Sequence, residues 1–165
     1  MKPLSTRMAL GNVDDLTKPT STQNYKLGFE VTVEDSDYKT VKKFIYVKSH
    51  AALTAYVPYA LNFTSTAGSE VITSAPVAIS AQIGVPQVSF TSGYYGFIQT
   101  MGDCLANHAA ATTDTYALKI SAAAPTVFTA ESNATVTVNS FAVAKETGGA
   151  GKHIWLFGEQ AVVTA

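Results

Sequence analysis

Short runs of alternating and β-branched residues recur along most of this chain, separated by glycine and by polar turn clusters. The pattern is clearest in FEVTV (29–33) and YKTVKKFIYVK (38–48), with the acidic cluster EDSD between them. Alternation of this kind, bounded by turn residues, is typical of strands. Further runs follow at intervals of about 10–15 residues: TAYVPYALNF, EVITSAPVAIS, QVSFTS, YYGFIQTM, YALKIS, TVFTA, ATVTVNSFAVA and HIWLFGEQAVV. The sequence therefore predicts an all-β fold, a small β-sandwich or barrel-like domain of short antiparallel strands.

The first two runs predict a β-hairpin with a basic outer rim. Val41, Ile45 and Val47 share one parity, and the opposite parity carries Lys42, Phe44, Tyr46 and Lys48. We expect the aliphatic parity to face the core. The one segment that favours a helix is the Ala-rich CLANHAAAT (104–112), which is short and lacks a convincing cap.

Residues 1–28 show no sustained period. They contain Pro3, Pro19 and the polar run TKPTSTQN, with apolar residues spaced singly between them. Such a segment buries little of itself, so we expect an extended, mobile N-terminal arm followed by a single β domain over residues 29–165. The isolated apolar side chains are suited to anchoring on another protein. The candidate contacts on such a partner are Leu10, Val13, Leu16, Tyr25 and Leu27.

Charge is distributed very unevenly. Eight of the 11 lysines and arginines lie in the first 48 residues, and none lies between Ser49 and Leu118. The whole chain is 14% charged, against roughly 25% for an ordinary soluble domain. Either a partner covers this region, or serine and threonine hydrate a neutral surface. A net charge of -1 argues against electrostatic capture of nucleic acid or of an anionic membrane.

Aromatic residues are concentrated in the same charge-poor stretch. Tyr94, Tyr95 and Phe97 cannot all face one core in an alternating strand, so some of these rings are exposed or covered by a partner. Tyrosine without charge is typical of the centre of a protein–protein interface, and also of a platform on which sugars stack. The candidate residues of an oligomer interface are Tyr56, Tyr59, Tyr94, Tyr95 and Phe97.

No motif of catalysis or cofactor binding stands out. The glycines before Lys152 lack the spacing of a phosphate loop, and the run after them reads as a strand. The three histidines are far apart, and Cys104 with His108 gives only two ligands of a metal site. We therefore predict no enzyme activity and no catalytic, metal or cofactor site. No apolar run is long enough to span a membrane and the N-terminus lacks a secretory signal, so we expect synthesis in a cytoplasm.

Three segments resemble a family of tailed-bacteriophage capsid decoration (cement) proteins. LGFEVTVEDSDYKTVKKFIYVKSHAALTAYVPY is similar to the family's arm, first strand, acidic turn and "YVK" strand. GYYGFIQTMGDCLA is similar to its Tyr-Gly-aromatic element, and SFAVAKETGGAGKHIWLFGEQ to its C-terminal strand pair. The turn EDSD departs from the family, which has a glycine there, and residues 62–86 have no counterpart.

The resemblance implies a structural protein without catalytic residues, on the outside of a phage shell and often trimeric. Its partners would be the major capsid protein and two further copies of itself, with neither nucleic acid nor membrane, and its location the virion capsid surface. The arm and the YVK hairpin, including Lys42, would touch the capsid protein. Two alternatives remain open: a carbohydrate-binding β-module on a phage or bacterial surface, and another virion subunit such as a tail protein.

Overall fold

The computed structural model describes residues 13–35, 40–64, 68–72, 82–109, 112–121, 124–130 and 140–158. Within these residues a short 3₁₀ helix (Val13–Thr17) precedes ten strands, and the predicted all-β fold is confirmed. The strands are β1 (Glu30–Asp35), β2 (Thr40–Ser49), β3 (Tyr59–Thr64), β4 (Gly68–Ile72), β5 (Ile83–Gly84), β6 (Tyr95–His108), β7 (Ala117–Ser121), β8 (Ala124–Ala130), β9 (Ala142–Ala144) and β10 (Gly149–Phe157). No helix in these ranges is long and apolar enough to cross a membrane.

Strand β6 is the longest and belongs to two closed rings of strands. Its C-terminal half pairs with β10, and the order β10–β9–β7–β8 returns to β6, which closes a five-stranded barrel. Its N-terminal half pairs with β2, and the order β2–β4–β3–β5 leads back to β6 through a bridge between Val85 and Gln99. Eight of the ten pairings between these strands are antiparallel, as predicted, and two, β2–β4 and β6–β8, are parallel.

A bulge in β6 lets one strand serve both rings. The register with β2 shifts between Lys43 and Phe44, opposite Met101 and Gln99. Gly102 has φ of 90°, and the carbonyl oxygen of Val41 lies where a Cβ would stand. The buried Gln99 amide spans the bulge, donating to the carbonyl oxygens of Met101 (3.0 Å) and Asp103 (2.7 Å). A bulge bends its strand, and here it turns β6 from one ring into the other.

Each ring encloses its own core. Mostly aliphatic and small side chains fill the barrel, together with two phenylalanines: Ile83, Val85, Cys104, Ala106, Leu118, Phe128, Phe141, Ala142, Ala144, Ile154 and Leu156. The second ring encloses Ile45, Val47, Leu53, Val57, Tyr59, Leu61, Phe90 and Ile98. Of the predicted aliphatic parity of β2, Ile45 and Val47 therefore face a core, whereas Val41 is exposed.

The predicted helix at residues 104–112 is wrong. Residues 104–108 continue β6, and residues 109 and 112 lie in the turn that follows. Cys104, Ala106 and His108 alternate into the barrel, whose narrow interior accepts small side chains. Tertiary packing thus overrides the helix propensity of alanine. The run QVSFTS is a loop joined to the fold by a bridge between Leu53 and Phe90.

The described part of the N-terminal segment, residues 13–29, lies against the sheet. Leu16 is buried with Val31, Phe44, Tyr46 and Phe97, in a third core on the outer face of β2 and β6. The face of β2 that carries Lys42 and Lys48 was predicted to be an outer rim. Phe44 and Tyr46 on the same face are covered by this segment. Both faces of β2 are therefore buried over Phe44–Val47.

Candidate interaction surface

Five aromatic rings form a cluster on the outer face of β2 and β6, which we call the aromatic patch: Tyr25, Phe29, Tyr46, Tyr95 and Phe97. Tyr46 and Phe97 are opposite each other in the β2–β6 register, with ring centroids 4.9 Å apart. Tyr25 stacks on Phe29 at 5.7 Å and meets the Tyr46 ring edge-on at 5.2 Å. Tyr46 and Phe97 are buried, whereas Tyr25, Phe29 and Tyr95 remain half-exposed. The patch thus has a buried floor and an accessible outer layer.

Polar contacts fix the N-terminal segment on this patch. Thr20 and Tyr95 exchange two backbone hydrogen bonds of 2.8 Å, which add residue 20 to the edge of β6. The Tyr25 hydroxyl donates to the Asp15 carboxylate (2.7 Å), and the backbone N–H of Asn24 donates to the Tyr46 hydroxyl oxygen (3.0 Å). The segment is therefore held by specific partners as well as by apolar burial.

A cationic side chain, Lys48, borders the patch. The Lys48 ammonium lies 5.7 Å from the centroid of the Tyr95 ring, and Tyr95 stacks on Tyr46 at 6.4 Å. A cation over an aromatic face is attracted by the ring quadrupole. A half-exposed ring beside a lysine is a surface that can bind a partner through apolar contact and hydrogen bonds together.

The hairpin of β1 and β2 extends beyond the part of β2 that pairs with β6. Lys43 pairs with Met101, and the residues of β2 before it pair with β1 alone among the described strands. Val41 lies on this overhang with 43% of its surface exposed. The predicted hairpin is thus present, with its turn (36–39) outside the described residues.

The structure separates the predicted capsid contacts into three groups. Leu10 lies outside the described residues, and Val13 begins the 3₁₀ helix. Leu16 is a core residue of this chain, so its side chain is not free for another protein. Tyr25 and Leu27 pack on the third core and are partly exposed. Lys42 is also partly exposed. Contact with a capsid stays a prediction for the exposed members.

The predicted oligomer-interface residues are likewise divided between interior and surface. Tyr59 and Phe97 are buried, and the Tyr59 hydroxyl accepts a hydrogen bond from the Thr54 amide (2.8 Å), so both rings serve the cores. Tyr56, Tyr94 and Tyr95 are half-exposed. The structure does not bring them onto one strand, because Tyr56 lies in the β2–β3 connection, near Gly151 of β10.

A buried charge cluster on the barrel was not predicted. Asp103 is 1% exposed, and its carboxylate binds the Lys145 ammonium at 2.6 Å and His153 Nδ1 at 3.0 Å. Lys145 and His153 are 35% and 31% exposed, so their outer atoms reach solvent. The sequence does contain a signal: Asp103 is an isolated acid in a strand that is otherwise uncharged. Only the pairing of β6 with β10 brings its two partners to it.

The other reactive side chains are buried in the barrel. Burial raises the pKa of the Cys104 thiol far above its ordinary range, which keeps it protonated and unreactive. His108 is buried, and neither ring nitrogen has a hydrogen-bond partner. Within the described ranges no three metal-binding side chains cluster. The glycines before Lys152 lie at the β9–β10 hairpin, as predicted, where the Gly148 amide donates to the Thr112 carbonyl oxygen.

Comparison with known proteins gives one structural similarity to report. No protein-family model matches the sequence. No curated protein matches it either. Among solved structures, the chain is similar to the N-terminal base of the head fibre protein gp8.5 of bacteriophage phi29, with 9% sequence identity and a TM-score of 0.48. The alignment covers 73% of this chain and 98% of that one. At this identity and TM-score, neither a site nor a function is transferred from it.

Proposed function

We propose that this chain is a structural protein of a phage virion that binds the outer surface of the capsid and stabilises it where subunits meet. The observation that carries the proposal is the aromatic patch, whose partly buried outer rings Tyr25, Phe29 and Tyr95 reach the surface, with Lys48 beside Tyr95. Such a layer is suited to binding a protein surface rather than to chemistry. The capsid as partner comes from the resemblance of three segments to decoration proteins.

The charge-poor span supports the same function. No lysine or arginine occurs between Ser49 and Leu118, and three half-exposed tyrosines, at positions 56, 94 and 95, lie within it. A surface covered in the assembled particle has little need of charge for solubility, and it avoids the cost of burying charge. A footprint of about 1,000 Å² or more would be needed for stable attachment.

A homotrimer would make such attachment stronger. Three copies that engage equivalent sites around a junction gain avidity, so each contact can be weak by itself. We propose Tyr56, Tyr94 and Tyr95 as the tyrosines available for contact between copies or with the shell.

Sedimentation velocity tests the proposal directly. The purified protein is run alone and then with undecorated shells of the phage that encodes it. We expect a discrete trimer that co-sediments with the shells. A monomer that stays unbound at high shell concentration would contradict both parts of the proposal.

Matched tyrosine variants locate the contact. Tyr95→Ala should weaken co-sedimentation by about tenfold, since a central aromatic contact contributes about 1–2 kcal/mol or more. Tyr116→Ala is the control, because Tyr116 is also half-exposed but lies beside the barrel, away from the patch. Equal loss in both variants, or in neither, would argue against the patch as the contact.

Glycan binding is the second candidate, and the half-exposed tyrosine rings favour it because sugars stack on such rings. A glycan array probed with the intact protein tests it. Binding that Tyr95→Ala abolishes, in a protein that ignores shells, would replace the capsid proposal.

A further inference from the structure

The outer edge of β1 carries no partner strand among the described residues. Strand β1 pairs in continuous register with β2 from Glu30–Ile45 to Asp35–Thr40, and with no other described strand. Exposed edges in natural proteins are usually protected by charged side chains, short strands, proline or bulges. Between Glu30 and Asp35 there is neither a proline nor a register shift, and the protection comes from the charge of Glu30 and Glu34. This edge is therefore open to a strand that carries the opposite charge.

The register shows which backbone groups point outward. Tyr46 and Phe29 are joined by a backbone hydrogen bond of 2.9 Å. Bonded and non-bonded pairs alternate along an antiparallel ladder, so Val31 and Val33 face β2 with their amide and carbonyl groups. The amide and carbonyl groups of Glu30, Thr32 and Glu34 then point to the free edge. Three residues thus present the hydrogen-bonding pattern of a ladder for which the described part of the chain provides no second strand.

The side chains along the edge define the chemistry of the missing strand. Glu30, Thr32 and Glu34 are exposed on one face, whereas Val31 is buried and Val33 half-buried on the other. Within the described residues neither glutamate forms an ion pair. A neighbouring strand would need cationic side chains on the first face and apolar ones on the second, since directly opposed pairs stabilise a sheet.

No two lysines or arginines of the sequence outside β2 are four residues apart, which is the spacing that would match Glu30 and Glu34. A second copy of β1, paired about a two-fold axis at Thr32, would place Glu30 opposite Glu34, and like charges so placed are destabilising. Lys2 and Arg7 are five positions apart in the sequence, so in an extended strand they would point to opposite faces. After Lys48 the only cations are Lys119, Lys145 and Lys152, which are widely spaced.

We propose that the free edge of β1 is a docking site for an extended strand of another protein in which lysine or arginine alternates with apolar residues. The strand adds to the sheet beside Glu30, Thr32 and Glu34 through backbone hydrogen bonds, and its cations pair with the two glutamates. Such strand addition takes affinity from the main chain and specificity from alternate side chains. If the proposed function holds, the strand belongs to the shell protein.

Amide hydrogen exchange tests the docking site. The full-length protein is measured alone, with undecorated shells, and with a synthetic peptide of alternating lysine and valine. We expect the Thr32 and Glu34 amides to exchange about tenfold or more slowly with shells or with the peptide, because a ladder partner protects them. A peptide with glutamate in place of lysine is the control and should give no protection. Unchanged exchange with both shells and the lysine peptide would overturn the inference.

Two variants separate this inference from the proposed function. Thr32→Pro removes one outward amide without touching the bonds to β2, and Thr32→Ala is its matched control. The charge-reversed double variant Glu30→Lys, Glu34→Lys covers the case in which the proline variant fails to fold. We expect about tenfold weaker binding to shells for the proline and double variants, and less than about twofold for Thr32→Ala.

Shells that bind the double variant and the parent equally would refute the docking site but keep the proposed function. If the shells bind neither the parent nor the double variant, the proposed function is refuted. Protection of the Thr32 and Glu34 amides by the lysine peptide would then decide whether the docking site exists.

Discussion

At the scale of single residues, Gly102 is the position where β6 turns from one ring into the other. Its φ of 90° lies in the left-handed region that side chains rarely adopt, and a Cβ there would meet the Val41 carbonyl oxygen. The same main-chain oxygen cannot move aside as a flexible side chain would. Backbone geometry and packing therefore both require glycine.

Gly102→Ala should lower the free energy of unfolding by about 2–4 kcal/mol, which combines left-handed strain with a backbone clash. Gly93→Ala is the control, because Gly93 also has positive φ (78°) but nothing lies within 4 Å of the added Cβ. It should cost about 1 kcal/mol from strain alone. Urea denaturation measures both, and equal costs would show that the contact with Val41 is unimportant.

The buried Asp103 carboxylate makes a second prediction at this scale. Lys145→Met removes the ammonium group from a 1% exposed carboxylate and leaves His153 Nδ1 as its contact, so we expect a loss of about 2–3 kcal/mol. Asp103→Asn should cost less, because Lys145 and His153 can both turn to solvent. Lys152→Met is the control: its pair with Glu146 is 3.7 Å long and over 40% exposed on each side, and should contribute under about 0.5 kcal/mol. Chemical denaturation that ranks the three in another order would contradict this assignment.

The buried His108 predicts a pH dependence of stability. Burial is the main cause that lowers the pKa of His108 below 6.5; Lys152 lowers it further and Glu146 opposes the shift. The neutral imidazole therefore contributes its full stability above pH 6.5, and this contribution is lost as the pH falls towards the folded-state pKa. We expect the free energy of unfolding to drop as the pH falls below about 6.5 in the parent, and to drop less in His108→Phe. The difference between the two curves isolates His108 from the other histidines, and parallel curves would contradict the prediction.

At the scale of elements, the N-terminal segment behaves as part of the sheet's outer face. Leu16 fills the third core, Thr20 pairs with the edge of β6, and Tyr25 covers the Phe97 ring at 5.4 Å. An element that contributes both a core side chain and backbone pairing is more than a tether. Its removal would expose the floor of the aromatic patch.

Deleting residues 1–27 should therefore lower the free energy of unfolding by about 3–5 kcal/mol and increase binding of an apolar dye. Deleting residues 1–12 leaves every described contact in place and serves as the control. Thermal and urea unfolding of both variants give the comparison. Equal stability of the two would show that residues 13–27 contribute little to the fold.

At the scale of the whole molecule, β6 joins the two rings into one sheet. The barrel packs on its C-terminal half and the second ring on its N-terminal half. Ile83 of β5 and Val85, which forms the bridge back to β6, belong to the barrel core. The two rings thus share β6, and the barrel core takes side chains from the segment that closes the second ring, so loss of β6 would disrupt both.

We expect the protein to unfold in a single cooperative transition. Trp155, the one tryptophan, lies in β10 and reports on the barrel by fluorescence. Near-ultraviolet dichroism adds a signal from the tyrosines, which include Tyr25, Tyr46 and Tyr95 of the aromatic patch on the other half. The two melting curves should coincide, and midpoints separated by several degrees would mean that the rings unfold independently.

The sequence by itself determined the fold class, the β1–β2 hairpin and the β9–β10 hairpin. These rest on alternation and turn residues, which are local properties of the chain. Only the tertiary structure decided that residues 104–108 are a strand, that Leu16 is a core residue and that Lys145 and His153 meet Asp103. Each of these depends on pairings between residues far apart in sequence, which local pattern does not encode. The free edge of β1 is likewise a feature of the tertiary structure, because the pairing of the other described strands determines which strand lies at an edge.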